Sequence, residues 1–283
     1  MRKFVGTIVF KTETPIHIGG NRESNVLYLL RLPNGGIVIP STTWKGAFRK
    51  IAEMLAPTFK MKEIEKLAIN FQIRQDIPKG YVQMFKDALE YSKSFLDSNE
   101  NVVAVLKRLG YTEDEIKSEK NLQKLLGTYL QFYCPIGRLF GNQVWASRIR
   151  FTDTLLHIPS TNIRAGIGVD RRTGTVNKKD KKALYFIETT DVDIEMKLNI
   201  MGELYGDISD KLFASTLEFI EEFGLSIGAR KSVGLGNLSV KNANFYVIDL
   251  SEDKNGTLLA NPFKVKPLSL NEFIAFLRRG CKP

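Results

Sequence analysis

Seven basic residues lie between positions 164 and 182: Arg164, Arg171, Arg172, Lys178, Lys179, Lys181 and Lys182. They face two acids, Asp170 and Asp180, and Gly166, Gly168 and Gly174 interrupt the run. Cations at this density neutralise phosphates and release their counterions, so they hold a polyanion without reading its sequence. The glycines suit a long hairpin better than a core strand. A solvated basic loop has the same composition. A second cluster reads Gly228-Ala229-Arg230-Lys231-Ser232-Val233-Gly234-Leu235-Gly236. Glycine lets backbone N–H groups approach a phosphate, and Arg230 and Lys231 add charge. The Gly-Lys-Ser/Thr ending of a nucleotide-hydrolysing loop is missing, and a strand-like run follows where such a loop needs a helix. A plain helix-to-strand turn would use these glycines too. Thirdly, Lys45 and Arg49 share one helix face behind Ser41, Thr42 and Thr43. Together with free helical N–H groups they could hold an anion, although an unliganded surface pair reads the same way.

His17, flanked by Ile16 and Ile18-Gly19-Gly20, could act as an acid or base toward RNA. With no partner histidine, it could instead complete a hydrogen bond beneath the loop. His157 carries no comparable signal. The two histidines and the two cysteines, Cys134 and Cys281, are too scattered for a zinc site or a disulfide framework, so no metal or other cofactor is expected. The net charge of +10 favours a polyanionic partner. No apolar run approaches the roughly 20 residues that span a bilayer, and no signal-peptide stretch opens the chain. A cytoplasmic protein without membrane contact is the expectation.

These groups need elements to position them. Residues 4–11 are β-rich and partly alternating, which predicts a strand. Residues 15–25 read as turn-rich, and residues 26–32 and 37–39 as a hairpin closed by Pro33-Asn34-Gly35-Gly36. Ser41 to Thr43 offer N-cap oxygens for a helix from about Trp44 to Leu55, whose Trp44 and Phe48 read as core. From 56 to 133, Leu, Lys and Glu dominate at helical spacing, with a capping box at Thr112 and Glu115. The β pattern resumes at 147–153, 183–188 and 192–201. A helix over 210–223 and a strand over 238–248 follow, then a tail with one short helix near 270–279. The order is that of a decorated βαββαβ core, an α+β fold of the ferredoxin-like or RRM-like kind.

Four stretches in this order resemble the RAMP superfamily of CRISPR proteins, in particular the backbone subunits of type III (Csm/Cmr-like) effectors. Ile16 to Gly20 looks like that family's first glycine loop. Ile39-Pro40-Ser41-Thr42-Thr43-Trp44-Lys45-Gly46-Ala47-Phe48-Arg49 resembles its Ile-Pro-Gly-Ser-Ser-Leu-Lys-Gly-x-x-Arg motif, with Ser41 where glycine is usual. Leu139-Phe140-Gly141 with Arg148-Ile149-Arg150-Phe151-Thr152-Asp153 is similar to its Leu-Phe-Gly and Arg-Ile-x-Phe-x-Asp pair, and residues 228–236 fit its C-terminal glycine loop. The pattern divides the chain into a discontinuous RRM-like palm over 1–55 and 134–250, a helical insertion over 56–133 and a tail over 251–283, and the resemblance makes 164–186 a protruding β-hairpin thumb. It also implies the partners: CRISPR guide RNA, complementary target RNA, and other effector subunits stacked in a filament. Lys45, Arg49, Gly228, Arg230, Lys231 and Gly234 would then hold guide phosphates, and Arg164, Arg171, Arg172, Lys178 and Lys179 the duplex. Slicing members carry an aspartate after the first glycine loop. Here the stretch reads Asn21-Arg22-Glu23-Ser24-Asn25, with Asn25 at about the expected place and Glu23 as the nearby carboxylate. Asparagine neither takes a proton nor brings charge to a metal. The expectation is a binding subunit without its own slicing site. The alternative is an endoribonuclease, processing repeat RNA through His17 or slicing with Mg²⁺ through Glu23.

Overall fold

In β1 (Arg2–Thr12) every second residue from Phe4 to Thr12 is buried and the residues between are half-exposed, as a strand covered on one face requires. The computed structural model describes residues 1–118, 122–157, 160–168, 184–253 and 256–280. After β1 come β2 (Gly19–Glu23), β3 (Val26–Leu29), β4 (Ile37–Ile39) and α1 (Ser41–Leu55). The helices α2 (Glu63–Arg74), α3 (Lys79–Glu90), α4 (Val102–Arg108), α5 (Glu113–Lys117), α6 (Leu122–Tyr133) and α7 (Pro135–Phe140) follow. The chain then returns to strands: β5 (Ile149–Phe151), β6 (Thr154–Leu156), β7 (Asn162–Ile167), β8 (Leu184–Thr189) and β9 (Glu195–Leu204). It closes with α8 (Ile208–Phe223), β10 (Leu225–Ser226), β11 (Asn237–Asp249), α9 (Thr257–Ala260) and α10 (Leu270–Arg279).

The main sheet runs β10-β11-β1-β9-β5, antiparallel throughout. With α1 between β1 and β5, and α8 between β9 and β11, this is the βαββαβ order with β1 and β9 in the centre. The fold is α+β with a ferredoxin-like palm. Helices α1 and α8 lie together on the covered face, where Trp44 stacks on Phe10 with centroids 5.3 Å apart. Trp44 and Phe48 are fully buried, as read from the sequence. Residues read as a tail supply a third core helix. A capping box of Ser269 and Glu272 starts α10, whose Phe273 stacks on Phe245 at 4.1 Å and lies 5.2 Å from Phe4. Gly6 is the reason that stack fits: a Cβ there would come within 2.4 Å of the Phe245 ring. Helices α2 to α6 extend the same core, and there Phe95 meets Phe85 and Tyr129 edge to face. Both arms of the predicted box at Thr112 and Glu115 are present.

Three expectations are corrected. The stretch 15–25 is not all turn, because Gly19–Glu23 pairs with β3. The hairpin over 26–39 closes only at one bridge, Arg31 to Ile37. Beyond it β3 joins β8 in parallel and β4 joins β6, giving a second sheet β2-β3-β8-β7 and a two-stranded sheet β4-β6. Thirdly, α1 begins at Ser41 with Pro40 as its cap residue and no side-chain cap. The Asp153 carboxylate takes the Ser41 N–H at 2.6 Å instead, satisfying one of the orphan donors at a helix start.

That contact shows what Arg148 to Asp153 does. Ile149 and Phe151 face the core, Asp153 closes α1, and Arg148 pairs at 3.0 Å with Asp207, the residue that caps α8. One edge strand thus ties the starts of both palm helices. Next to Asp207, Asp210 accepts the N–H groups of Tyr205 and Gly206 at 2.8 and 2.6 Å, while its Oδ1 is buried without a partner among the described residues. Burial, and then the Asp207 charge, raise its carboxyl from 3.8 to about 6. The folded chain therefore holds a proton that the unfolded chain releases between about pH 4 and 6, and stability falls as pH rises through that window. Asp210→Asn keeps an acceptor for both N–H groups. It is expected to flatten the slope and add about 1–2 kcal/mol at pH 7, less than the full shift because the new amide N–H is also buried. Denaturant curves at pH 4.5 and pH 7 check this; equal stability at pH 7 contradicts it.

Candidate nucleic-acid interface

Strand directions bring the basic clusters to one end of the palm. Strand β1 runs towards α1, and β9 is antiparallel to it, so α8 climbs back and the loop 227–236 sits at the end where β1 stops. The base of the β7–β8 ribbon arrives at the same end, because Phe186 N–H donates to Asn25 and Thr190 N–H to Ile16. Residues 15–17 form the seam. Gly236 N–H donates to Pro15 at 2.9 Å, Ala229 N–H to His17 at 2.9 Å, and Ile16 N–H to the Thr190 hydroxyl at 3.0 Å. One short segment is therefore stitched on one side to the glycine loop and on the other to β8.

His17 takes part through its backbone and through Nδ1, which lies 2.7 Å from the Glu188 carbonyl oxygen; the residue is 3% exposed. This is the hydrogen bond beneath the loop that its sequence context allowed. Glu23 is exposed at the end of β2 and is the one acid lining a cleft of about 430 Å³ with Asn21, Tyr28 and Arg31, among the described residues. Asn25 occupies the β2–β3 turn, its carbonyl engaged by Phe186.

Of the predicted phosphate ligands, Lys45 is half-buried on the first turns of α1, and no described residue pairs with it. Burial and then the Arg49 charge hold its ammonium below the usual lysine pKa, and a nearby anion would favour the charged form against both. Arg49 does not join it as a free cation. Its guanidinium bonds Glu53 at 3.0 Å and the Gly141 carbonyl at 3.2 Å, linking α1 to the turn after α7. Arg164 is exposed on β7, opposite Ile187 of β8. Arg171, Arg172, Lys178 and Lys179 lie outside the described residues. Lys231 begins a single 3-10 turn and is exposed; Gly228 and Gly234 both have positive φ, at +78° and +84°. Arg230 rests on the Tyr185 ring, its guanidinium carbon 4.3 Å from the centroid.

Two residues of β8, beside the seam, carried no signal in the sequence. Tyr185 reads as one aromatic in a β run. Glu188, 5% exposed, accepts from the Leu29 N–H at 2.8 Å, the Thr161 hydroxyl at 2.7 Å and Arg31. Burial opposes its charge, but those donors outweigh burial and hold the carboxyl below its ordinary value. The open face of the main sheet, by contrast, presents Lys3, Val5, Thr7, Val9 and Lys11 on β1 and Lys197, Asn199, Met201 and Glu203 on β9. Neither central strand offers the aromatic on which an RRM stacks bases, and Tyr246 of β11 meets Phe263 edge-on at 5.0 Å. Among the described residues, no helix is long and apolar enough to cross a membrane.

The RAMP superfamily model matches residues 9–239, from within β1 to the start of β11. No curated protein matches the chain.

Proposed function

The chain belongs to the RAMP superfamily, and from that premise we propose that it is a guide-RNA-binding structural subunit of a type III CRISPR effector in the cytoplasm. Membership implies a CRISPR-associated role in RNA binding or processing; the subunit role is our reading. What carries it is the gathering of Lys45, Arg164, Arg230 and Lys231 at one end of a palm whose open face lacks stacking aromatics on its central strands. Such an end grips RNA mainly by its backbone rather than by bases laid on the sheet. The basic run through Arg171, Arg172, Lys178 and Lys179 continues the β7–β8 ribbon in sequence, and we assign it to the guide–target duplex as a thumb.

The same reading gives the subunit no slicing site of its own. Glu23 stands as a single exposed carboxylate, and Asn25 offers no proton acceptor of useful basicity. His17 is buried with Nδ1 engaged, which supports a scaffolding role over that of a base for repeat processing. The test is to purify the chain from its host and sequence the RNA that accompanies it. Many spacers joined to one constant repeat-derived handle are expected. Uncut repeat RNA alone would favour a processing enzyme, and no RNA would sink the proposal. In vitro, Lys45→Ala, Arg164→Ala and Lys231→Ala should each lower the slope of log affinity against log salt by about 0.7 on single-stranded RNA. An unchanged slope in all three would remove them from the interface.

A further inference from the structure

Arg230 adopts a left-handed backbone, φ +61°, in a loop that has glycine at 228, 234 and 236. Glycine would hold that conformation without the strain that an L side chain bears there. A strained non-glycine residue persists where its side chain has a task. The side chain crosses to the other sheet. Its Nη1 donates to the Tyr185 hydroxyl at 2.7 Å, and its guanidinium lies 4.3 Å from the ring centroid. The ring in turn rests against Gly166 of β7, where a Cβ would come within 2.3 Å of it. Gly166, Tyr185 and Arg230 thus form a stack bridging the ribbon and the glycine loop, with Arg230 exposed at its outer end.

With Nη1 committed to the Tyr185 hydroxyl and the ring against one side, the guanidinium has only its Nε–Nη2 edge left to fork around a phosphate. Its side turned to solvent suits a different ligand: the π-face of a base. We infer that Arg230 and Tyr185 are a platform on which one unpaired nucleobase of the bound RNA stacks, so that Arg230 is a stacking residue and not a phosphate ligand. This rests on the RNA-binding reading above and adds a site where a base, not the backbone, is felt. Lys45, Arg164 and Lys231 keep the electrostatic role.

The experiment uses the full chain and short single-stranded RNAs of one sequence, each with one abasic position. Wild type is expected to lose roughly 5- to 100-fold in affinity when one particular base is removed. Arg230→Lys keeps the charge but loses the planar face, so it should bind intact and abasic RNAs alike with an unchanged salt slope. Tyr185→Phe keeps the ring and should retain the abasic penalty; it also controls for folding. A flat abasic profile in the wild type, or a penalty that survives in Arg230→Lys, overturns the platform. A flat profile together with a slope reduced by about 0.7 in Arg230→Ala makes Arg230 a phosphate ligand, leaving RNA binding intact. Absence of RNA binding to every oligonucleotide overturns both readings.

Discussion

Gly236→Ala is expected to destabilise the chain by about 3 kcal/mol and to weaken RNA binding tenfold or more, whereas Gly234→Ala should cost about 1 kcal/mol and leave binding near wild type. Both glycines have φ +84°, so torsional strain is the same at each. Their surroundings differ. A Cβ at 236 would lie 2.0 Å from the Ile227 carbonyl oxygen, and one at 234 meets nothing within 4 Å. The Ile227 carbonyl belongs to the loop's own backbone and bonds are made around it: Ile227 N–H donates to Gly236 and Gly236 N–H to Pro15. Moving it breaks the seam on which the basic residues sit. Gly228 is intermediate, at φ +78° with the His17 carbonyl oxygen 2.4 Å from a would-be Cβ. Denaturant unfolding and RNA titration of the three alanine variants give the order directly. Equal losses at 234 and 236 would show that torsion alone matters and that the loop has no packed role.

Elements whose signal is local are legible in the sequence. Alternation marks β1, the stripe through Leu212, Phe213, Leu217 and Ile220 marks α8, and Leu270 to Arg279 is helical as its spacing says. What stayed hidden depends on distant partners. Pro33-Asn34-Gly35-Gly36 does turn the chain, but Val26 pairs with Phe186, and nothing near Val26 announces that. All five residues of β2 are exposed, so no apolar alternation betrays a strand. The helix start behind Ser41 looked free because its occupant, Asp153, comes from across the palm.

The candidate site divides the same way. Charge density could be read from the residues, and so could the glycines that need positive φ. What each cation is engaged in could not. Glu53, one turn beyond Arg49, was in view, but the Gly141 carbonyl that also holds Arg49 was not. Tyr185, whose hydroxyl and ring engage the Arg230 guanidinium, lies on a strand with no sequence link to the loop. The four ordered motifs are bound by the same kind of link: Arg49 to Gly141, Asp153 to Ser41 and His17 to Ala229 each join two of them. Their spacing records the contacts that assemble the palm.

Glu188→Ala should cost about 3–5 kcal/mol, because it leaves the Leu29 N–H and Thr161 hydroxyl without their acceptor and Arg31 without its counter-charge. The upper part of that range is tempered by Arg31, whose side chain is 40% exposed and screened by water. Glu188→Gln keeps the shape and one acceptor oxygen but aims an amide at a cluster of donors, and about 1–3 kcal/mol is expected. The pH dependence separates charge from shape. The folded carboxyl is held below its ordinary value, so the unfolded chain binds the proton first as pH falls. The contribution of Glu188 is therefore whole above about pH 4.5 and is lost as pH drops through the folded value. Wild type should lose stability in that acid window more steeply than Glu188→Gln, while above pH 5 their difference stays constant. Parallel curves through the window would mean that the fold does not shift the carboxyl from its unfolded pKa, and a wild type that gains stability on acidification would mean that it is neutral in the fold. RNA affinity should fall in both variants although no cation has been removed. Glu188 couples β8 to β3 and, through its backbone, to His17, and β8 carries the ring beneath Arg230. An unaffected affinity in a destabilised Glu188→Ala would show that the ribbon keeps its place without this clamp, and that the interface depends on the glycine loop alone.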